Sequence, residues 1–151
     1  MDITLLDLHN LAIAQRVLAI QHAAYAIEAD LIGTRNIPPL NDTLETLQDS
    51  DEFFYGCWLD EGLAGIVSCL NNDFMVEICR MAVHPDYFRR GVASALLNFV
   101  ERQYPEARIA TVSTGAKNEP ARQLYLRHGF VQKGLTMPEE GVFLAMFEKR
   151  F

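Results

Sequence analysis

Hydrophobic residues repeat along this chain at two periods, and the switching between them lays out the elements. A short apolar run, "ITLLDL", precedes a stretch in which Ile13, Val17, Ile20 and Ala24 recur at the spacing of one buried helix face. Gly33, Pro38 and Pro39 end that helix, and a short helical stretch follows around Leu44 and Leu47. From Phe53 to Val83 the pattern becomes strand-like. "FFYGCWL", "LAGIVSCL" and "FMVEICRMAV" are divided by the turn sequences "DEG" and "NND", which predicts a three-stranded antiparallel meander.

The helical period then returns, with Val92, Leu96, Phe99 and Val100 marking a helix that runs to about Gln103 and is stopped by Pro105. "ARIATVS" reads as a buried strand. Asn118 is placed to cap a further helix with Pro120 in its first turn. Ala121, Leu124, Tyr125 and His128 share one face of it, and Gly129 supplies a left-handed terminator. "FVQKGLTMP" and "GVFLAMFEK" predict two last strands joined around "EEG". The order is β-α-α-β-β-β-α-β-α-β-β in one domain, 1–151, without repeats, low-complexity tracts or linkers.

Composition narrows the setting. The 151 residues are 50% hydrophobic and 22% charged, ordinary for a folded domain with its own core. A net charge of -7 disfavours nucleic acid or an anionic membrane as the main partner. Cys57, Cys69 and Cys79 lie in strand-like runs without a C-x-x-C pair, so neither a disulfide framework nor a zinc site is expected, and the reading is a reducing cytoplasm. Asp2 and Asp7 stand where a signal peptide carries positive charge, and no apolar run approaches the ~18 residues of a membrane span.

Candidate chemistry begins at "RRGVA". The first turn of a helix has unpaired N–H groups and the positive end of the helix dipole, so Gly91 and Ala93 there let an anion approach. Arg89 and Arg90 add charges able to meet phosphate oxygens. Close helix packing is the other explanation of such a glycine.

"MAVHPDYFRRGVASALL" followed by "NEPARQLYLRHGF" resembles the two signature segments of the GNAT superfamily of acyl-CoA-dependent N-acyltransferases. That family's phosphate loop, Q/R-x-x-G-x-G/A, falls on Phe88, Arg89, Arg90, Gly91, Val92 and Ala93, with Phe88 departing from the usual Gln or Arg. Asn118, Ala121, Leu124, Tyr125, Gly129 and Phe130 carry the second match, and the element order extends the resemblance over nearly all of the chain. Residues 1–50 match only in pattern.

The resemblance implies an α/β fold with a mixed, mostly antiparallel central sheet flanked by helices. Strands 74–83 and 108–114 would splay apart around the pantetheine arm of acetyl-CoA, the co-substrate. Met81, Ala82 and Val83 would line that arm, with a backbone N–H near Met81 facing the thioester carbonyl. Arg89, Arg90, Gly91, Val92, Ala93 and Ser94 would hold the pyrophosphate, and Asn118 would touch the arm, although its capping role alone explains it. Tyr125 would be the general acid for the departing thiolate; a plain core aromatic is the alternative.

Direct transfer needs a neutral amine, and a lysine-like amine with a pKa of ~10.4 is almost wholly protonated at neutral pH. Glu77, four residues before Met81, shares its strand face unless a bulge intervenes, and is the candidate base; an exposed Glu or one paired with Arg80 is the alternative. Cys79 packs as a small hydrophobe rather than carrying the acyl group. His84 and His128 are structural, one before a turn proline and the other at a helix end. Arg80, Arg89, Arg90, Lys117 and Arg122 form a basic mouth in an acidic protein.

These expectations describe an N-acetyltransferase that moves an acetyl group from acetyl-CoA to a primary amine, on a small molecule or a peptide, through a ternary complex without metal. The acceptor pocket falls on 25–41 and the last strands, where Glu28, Asp30, Asp51 and Glu52 mildly favour a cation. A non-catalytic acyl-CoA-binding regulatory module is the alternative, and monomer and homodimer both stay open.

Overall fold

In the computed structural model, which describes every residue except Glu140, seven strands form one sheet in the order β1-β2-β3-β4-β5-β7-β6. The chain runs β1 (Asp2–Leu5), α1 (Leu11–Ile32), α2 (Leu44–Gln48), β2 (Phe53–Leu59), β3 (Gly62–Asn71) and β4 (Met75–Val83). It continues through α3 (Val92–Gln103), β5 (Ile109–Gly115), α4 (Glu119–Arg127), β6 (Val131–Glu139) and β7 (Val142–Arg150). The element order read from periodicity is the observed one; the turn expected around "EEG" includes Glu140, outside the described residues.

Caps set the helix ends. Asn10 accepts from the Ile13 N–H to start α1, and Gly33, at φ 79, ends it. Pro38 and Pro39 then sit in a short 3-10 turn rather than in a continuing helix. The buried face of α1 is rotated from the expected one: Ala14, Val17, Ile20, Gln21, Tyr25 and Ala29 are buried, whereas Ile13 and Ala24 are only partly so. Ile13 lies in the first turn and Ala24 at the rim of a cleft, where neither is fully covered. No helix among the described residues is long and apolar enough to cross a membrane.

Two apolar layers sandwich the sheet. On one face Val17, Ile20 and Tyr25 of α1 and Leu47 of α2 pack on Phe54, Leu63, Ile66 and Ala82. On the other, Val92, Leu96 and Val100 of α3 and Tyr125 of α4 pack on Tyr55, Val67, Ile78, Val112 and Phe147. Phe54 and Tyr55 go to opposite layers, as strand alternation requires.

All strand pairs are antiparallel except β4 and β5, which α3 joins as a crossover. That parallel pairing runs from Met75↔Ile109 to Ile78↔Val112 and stops. β4 stays with β3 as far as Val83↔Gly65, and β5 stays with β7 as far as Gly115↔Leu144. The sheet therefore opens between residues 79–83 and 113–115, while both borders remain held.

Where β4 parts from β5 it also carries a bulge. Arg80 faces Ser68 and Ile78 faces Cys69, which leaves Cys79 without a partner on β3. The extra residue reverses the alternation. Ile78 and Met81 consequently pack with the same layer, and Glu77 is exposed on the opposite face. The shared face expected for Glu77 and Met81 is thereby corrected.

Candidate active site

The gap in the sheet leaves backbone groups without strand partners. The His84 N–H donates to Ala64, and antiparallel bonds alternate, so the N–H groups of Met81 and Val83 point away from β3 into the gap. Buried backbone donors need an acceptor. The Tyr25 hydroxyl of α1 supplies one: it accepts from the Met81 N–H at 3.3 Å and donates to the Met81 carbonyl at 3.5 Å. Burial first, then the charge of Glu28, pushes the Tyr25 pKa above the usual phenol range, so this tyrosine keeps its proton.

One turn further along α1, Glu28 reaches the other border of the gap. Its Oε1 accepts from the Thr114 hydroxyl at 2.9 Å and from the Gly115 N–H at 3.1 Å. Helix α1 thus touches both diverging strands.

The end of β4 leads through a 3-10 turn, Pro85–Tyr87, in which His84 Nδ1 accepts from the Asp86 N–H. Two left-handed residues follow, Arg89 at φ 64 and Gly91 at φ 78, and α3 begins at Val92. A Cβ on Gly91 would meet only Met1 Cε, 3.9 Å away, so close packing does not explain the glycine; its backbone conformation does. The first intrahelical bond runs from the Ala95 N–H to Gly91, so the N–H groups of Val92, Ala93 and Ser94 are free of helix partners.

Side chains around this turn divide. Phe88, Arg89, Ala93 and Ser94 line the cleft, and Phe88 is exposed. Arg90 turns away: its guanidinium meets Asp60 at 2.8 Å and stacks over the Tyr87 ring, so of the two arginines expected at a phosphate only Arg89 lines the cleft. Ser94 Oγ lies 2.9 Å from His128 Nε2, which ties α3 to the end of α4.

From the α4 side, Asn118 Oδ1 accepts from the Ala121 N–H, the expected cap, and the residue also lines the cleft. Tyr125 is 3% exposed, packed edge-on to Phe130 and tilted against Phe147. Among the described residues its hydroxyl makes no hydrogen bond. Burial pushes its pKa above the usual phenol range, and the neighbouring Tyr25 and Glu28 push it further. Tyr25 and Tyr125 therefore approach the same gap from opposite faces of the sheet.

The other expected groups separate clearly. Met81, Ala82 and Val83 line the cleft, whose volume is about 560 Å³, within the range of small-molecule sites. Cys79 lines it as a thiol, since burial and the charges of Glu52 and Glu77 push its pKa up to about 12. Glu77 is not among the lining residues. Arg80 lines the cleft but its guanidinium is bonded to Gln21, Asp42 and Glu52, while Arg90, Lys117 and Arg122 are not among the lining residues; of the five expected basic groups Arg89 remains, joined at the cleft by Arg127.

Residues 17–130 match the Acetyltransferase (GNAT) family. The chain belongs to that family. This GNAT chain is 37% identical over 135 residues to the UPF0157 protein YqkA of Bacillus subtilis (strain 168), which covers 89% of the chain and 39% of that protein. It is 34% identical over 92 residues to the uncharacterized N-acetyltransferase YedL of Escherichia coli (strain K12), 58% of each. The chain thus spans less than two thirds of the length of both relatives. Its GNAT fold is shared with the PaiA N-acetyltransferase of Thermoplasma acidophilum, solved in complex with coenzyme A, at a TM-score of 0.77 and 15% identity over 100% of both chains.

Tyr25 against Met81 and Arg127 at the cleft edge were not singled out from sequence, and Glu28, named there only among the acids of the acceptor side, was not expected to reach Thr114. Tyr25 and Glu28 lie three apart, on one helix face, which is the signal that joins them. Nothing local to either residue indicates that the face meets an open sheet.

Proposed function

We propose that this GNAT domain binds acetyl-CoA in the gap between β4 and β5 and passes the acetyl group directly to a primary amine in a ternary complex. The observation that carries this reading is the set of backbone donors along one path that have no strand or helix partner: Val83 and Met81 on β4, the latter bonded only to the Tyr25 hydroxyl, then the first turn of α3 behind the left-handed Arg89 and Gly91. The first group suits an extended amide-bearing arm, which can add to β4 as a strand would. The second suits phosphate, with Arg89 beside it. Phe88 provides apolar surface where the family more often has a phosphate-binding side chain.

CoA would supply the acetyl group as a thioester. The Met81 N–H is a preorganised donor for negative charge developing on a carbonyl oxygen, an effect worth about 3 kcal/mol where it has been removed from comparable sites. Tyr125 holds a proton at Oη and has no competing partner, the state required of an acid for a departing thiolate. Cys79 stays a neutral thiol, which argues for direct transfer over an acyl-cysteine.

The test is thiol release from acetyl-CoA with a panel of primary amines. Wild-type protein should release thiol only when an amine is present, and Tyr125→Phe should lower kcat by roughly 10²-fold or more while binding acetyl-CoA normally. Acetyl-CoA binding without turnover on any amine would support a regulatory acyl-CoA-binding module instead. No binding of any CoA ester would overturn the reading altogether.

A further inference from the structure

The amine acceptor must lose a proton before it can attack, and the cleft contains a group built to take it. We infer that Glu28 Oε2 accepts the proton of the acceptor's ammonium, which makes Glu28 a catalytic residue and an ammonium the form in which the acceptor arrives. This rests on the acetyltransferase reading above.

Among the described residues Glu28 is the one carboxylate that lines the cleft. The other nearby acids are engaged elsewhere. Asp42 and Glu52 hold Arg80, Glu52 also accepts from Ser68, and Glu77 is exposed on the sheet. Glu28 is held without being used up. Its Oε1 takes both bonds from β5, the Thr114 hydroxyl and the Gly115 N–H, whereas Oε2 has no hydrogen bond among the described residues. A carboxylate has acceptor sites on both oxygens, so this arrangement fixes the group and leaves one oxygen open.

Its position suits the task. Glu28 lines the same cleft as Tyr25 and Tyr125, and its charge raises the pKa of both. The ionisable groups that share the cleft with it are Tyr25 on α1, Cys79 and Arg80 on β4, Tyr87 and Arg89 on the following loop, and Tyr125 and Arg127 on α4; the β5 wall has none. Arg80 is already neutralised by Asp42 and Glu52. Ile27 and Leu31 flank Glu28 on the same helix, giving an apolar wall against which a carboxylate–ammonium attraction is less screened.

The bonds balance as follows. The ammonium gives one proton to Glu28 Oε2, and the nitrogen lone pair forms the C–N bond to the acetyl carbon as the C–S bond breaks. The sulfur takes the Tyr125 proton, the second amine proton returns to the Tyr125 oxygen, and Glu28 releases its proton to water. The sum is one amide, one free thiol and one proton.

The experiment compares Glu28→Gln with wild type on primary amines of graded basicity at pH 7, from alkylamines to the largely neutral alkoxyamines. Expected is a fall in kcat/KM of ~10²-fold or more for alkylamines, recovering as the pH is raised, with alkoxyamines reduced less than ~10-fold and the acetyl-CoA Kd unchanged. Alkylamine turnover within about twofold of wild type, or equal losses for both amine classes, overturns the assignment. If wild type turns over no amine, the acetyltransferase reading itself fails, and this inference with it. Should Glu28→Gln not bind acetyl-CoA, Thr114→Val decides, because it loosens the carboxylate without removing it. A several-fold loss confined to basic amines supports the role, and no loss overturns it.

Discussion

The Met81 N–H donates to the Tyr25 hydroxyl at 3.3 Å, across the mouth of the opening in the sheet. Divergence of β5 would otherwise leave that donor buried and unpaired, so the tyrosine fills a place that strand pairing has vacated. The same N–H is the one proposed to face a thioester carbonyl. In that proposal the hydroxyl and the ligand would compete for one donor.

Tyr25→Phe follows directly from this competition. The free protein should lose about 1 kcal/mol with the hydrogen bond, whereas the complex, in which the carbonyl takes the N–H, should lose little. Acetyl-CoA should then bind about fivefold more tightly, as measured by calorimetric titration. Unchanged or weaker binding would show that the hydroxyl stays engaged with the ligand.

Gly91→Ala tests the loop. At φ 78 an alanine costs about 1–2 kcal/mol, with no steric clash to add, since only Met1 Cε lies within reach of a Cβ. Thermal unfolding should report the strain, and acetyl-CoA affinity should fall if relaxation moves the first-turn amides. A variant with wild-type stability and affinity would remove the reason given for the glycine.

Arg80 anchors the region before β2 to the bulged strand, through Asp42 at 2.8 Å and Glu52 at 3.2 Å, with its guanidinium over the Phe54 ring. Arg80→Ala leaves two largely buried carboxylates unpaired and should cost about 3 kcal/mol, lowering Tm by roughly 10 °C. Arg80→Lys should restore only part of this, because one ammonium cannot reproduce the fork.

His128 gives a pH dependence. Burial, followed by the charge of Lys149, lowers its pKa below the ordinary value. The unfolded chain binds the proton more readily, so stability is complete above about pH 6.5 and declines as pH falls below it. His128→Gln should flatten that decline in denaturant titrations between pH 7 and 5. An unaltered profile would assign the loss to other groups.

Much of the architecture was legible because its signals are local. Asn118 before Pro120 announces a helix start, and Gly129 supplies its end at φ 88. The bulge at Cys79 has no such marker. No glycine or proline stands in "EICRM", and the extra residue arises from the register with β3, so the face of Glu77 could not be read from β4 alone. Long-range pairing hid the rest. Asp60 claims Arg90 from thirty residues away, and Glu28 reaches Thr114 across the fold. Nothing local to Tyr25 marks its contact with Met81, which depends on a sheet that opens beneath it.

The central claim is that the gap between β4 and β5 receives acetyl-CoA, and amide hydrogen exchange with and without acetyl-CoA tests it most directly. The account predicts slowed exchange at Met81 and Val83 and at Val92, Ala93 and Ser94, with the β1–β2 region unchanged. Protection absent from these amides at saturating acetyl-CoA, or confined to another part of the fold, would contradict it.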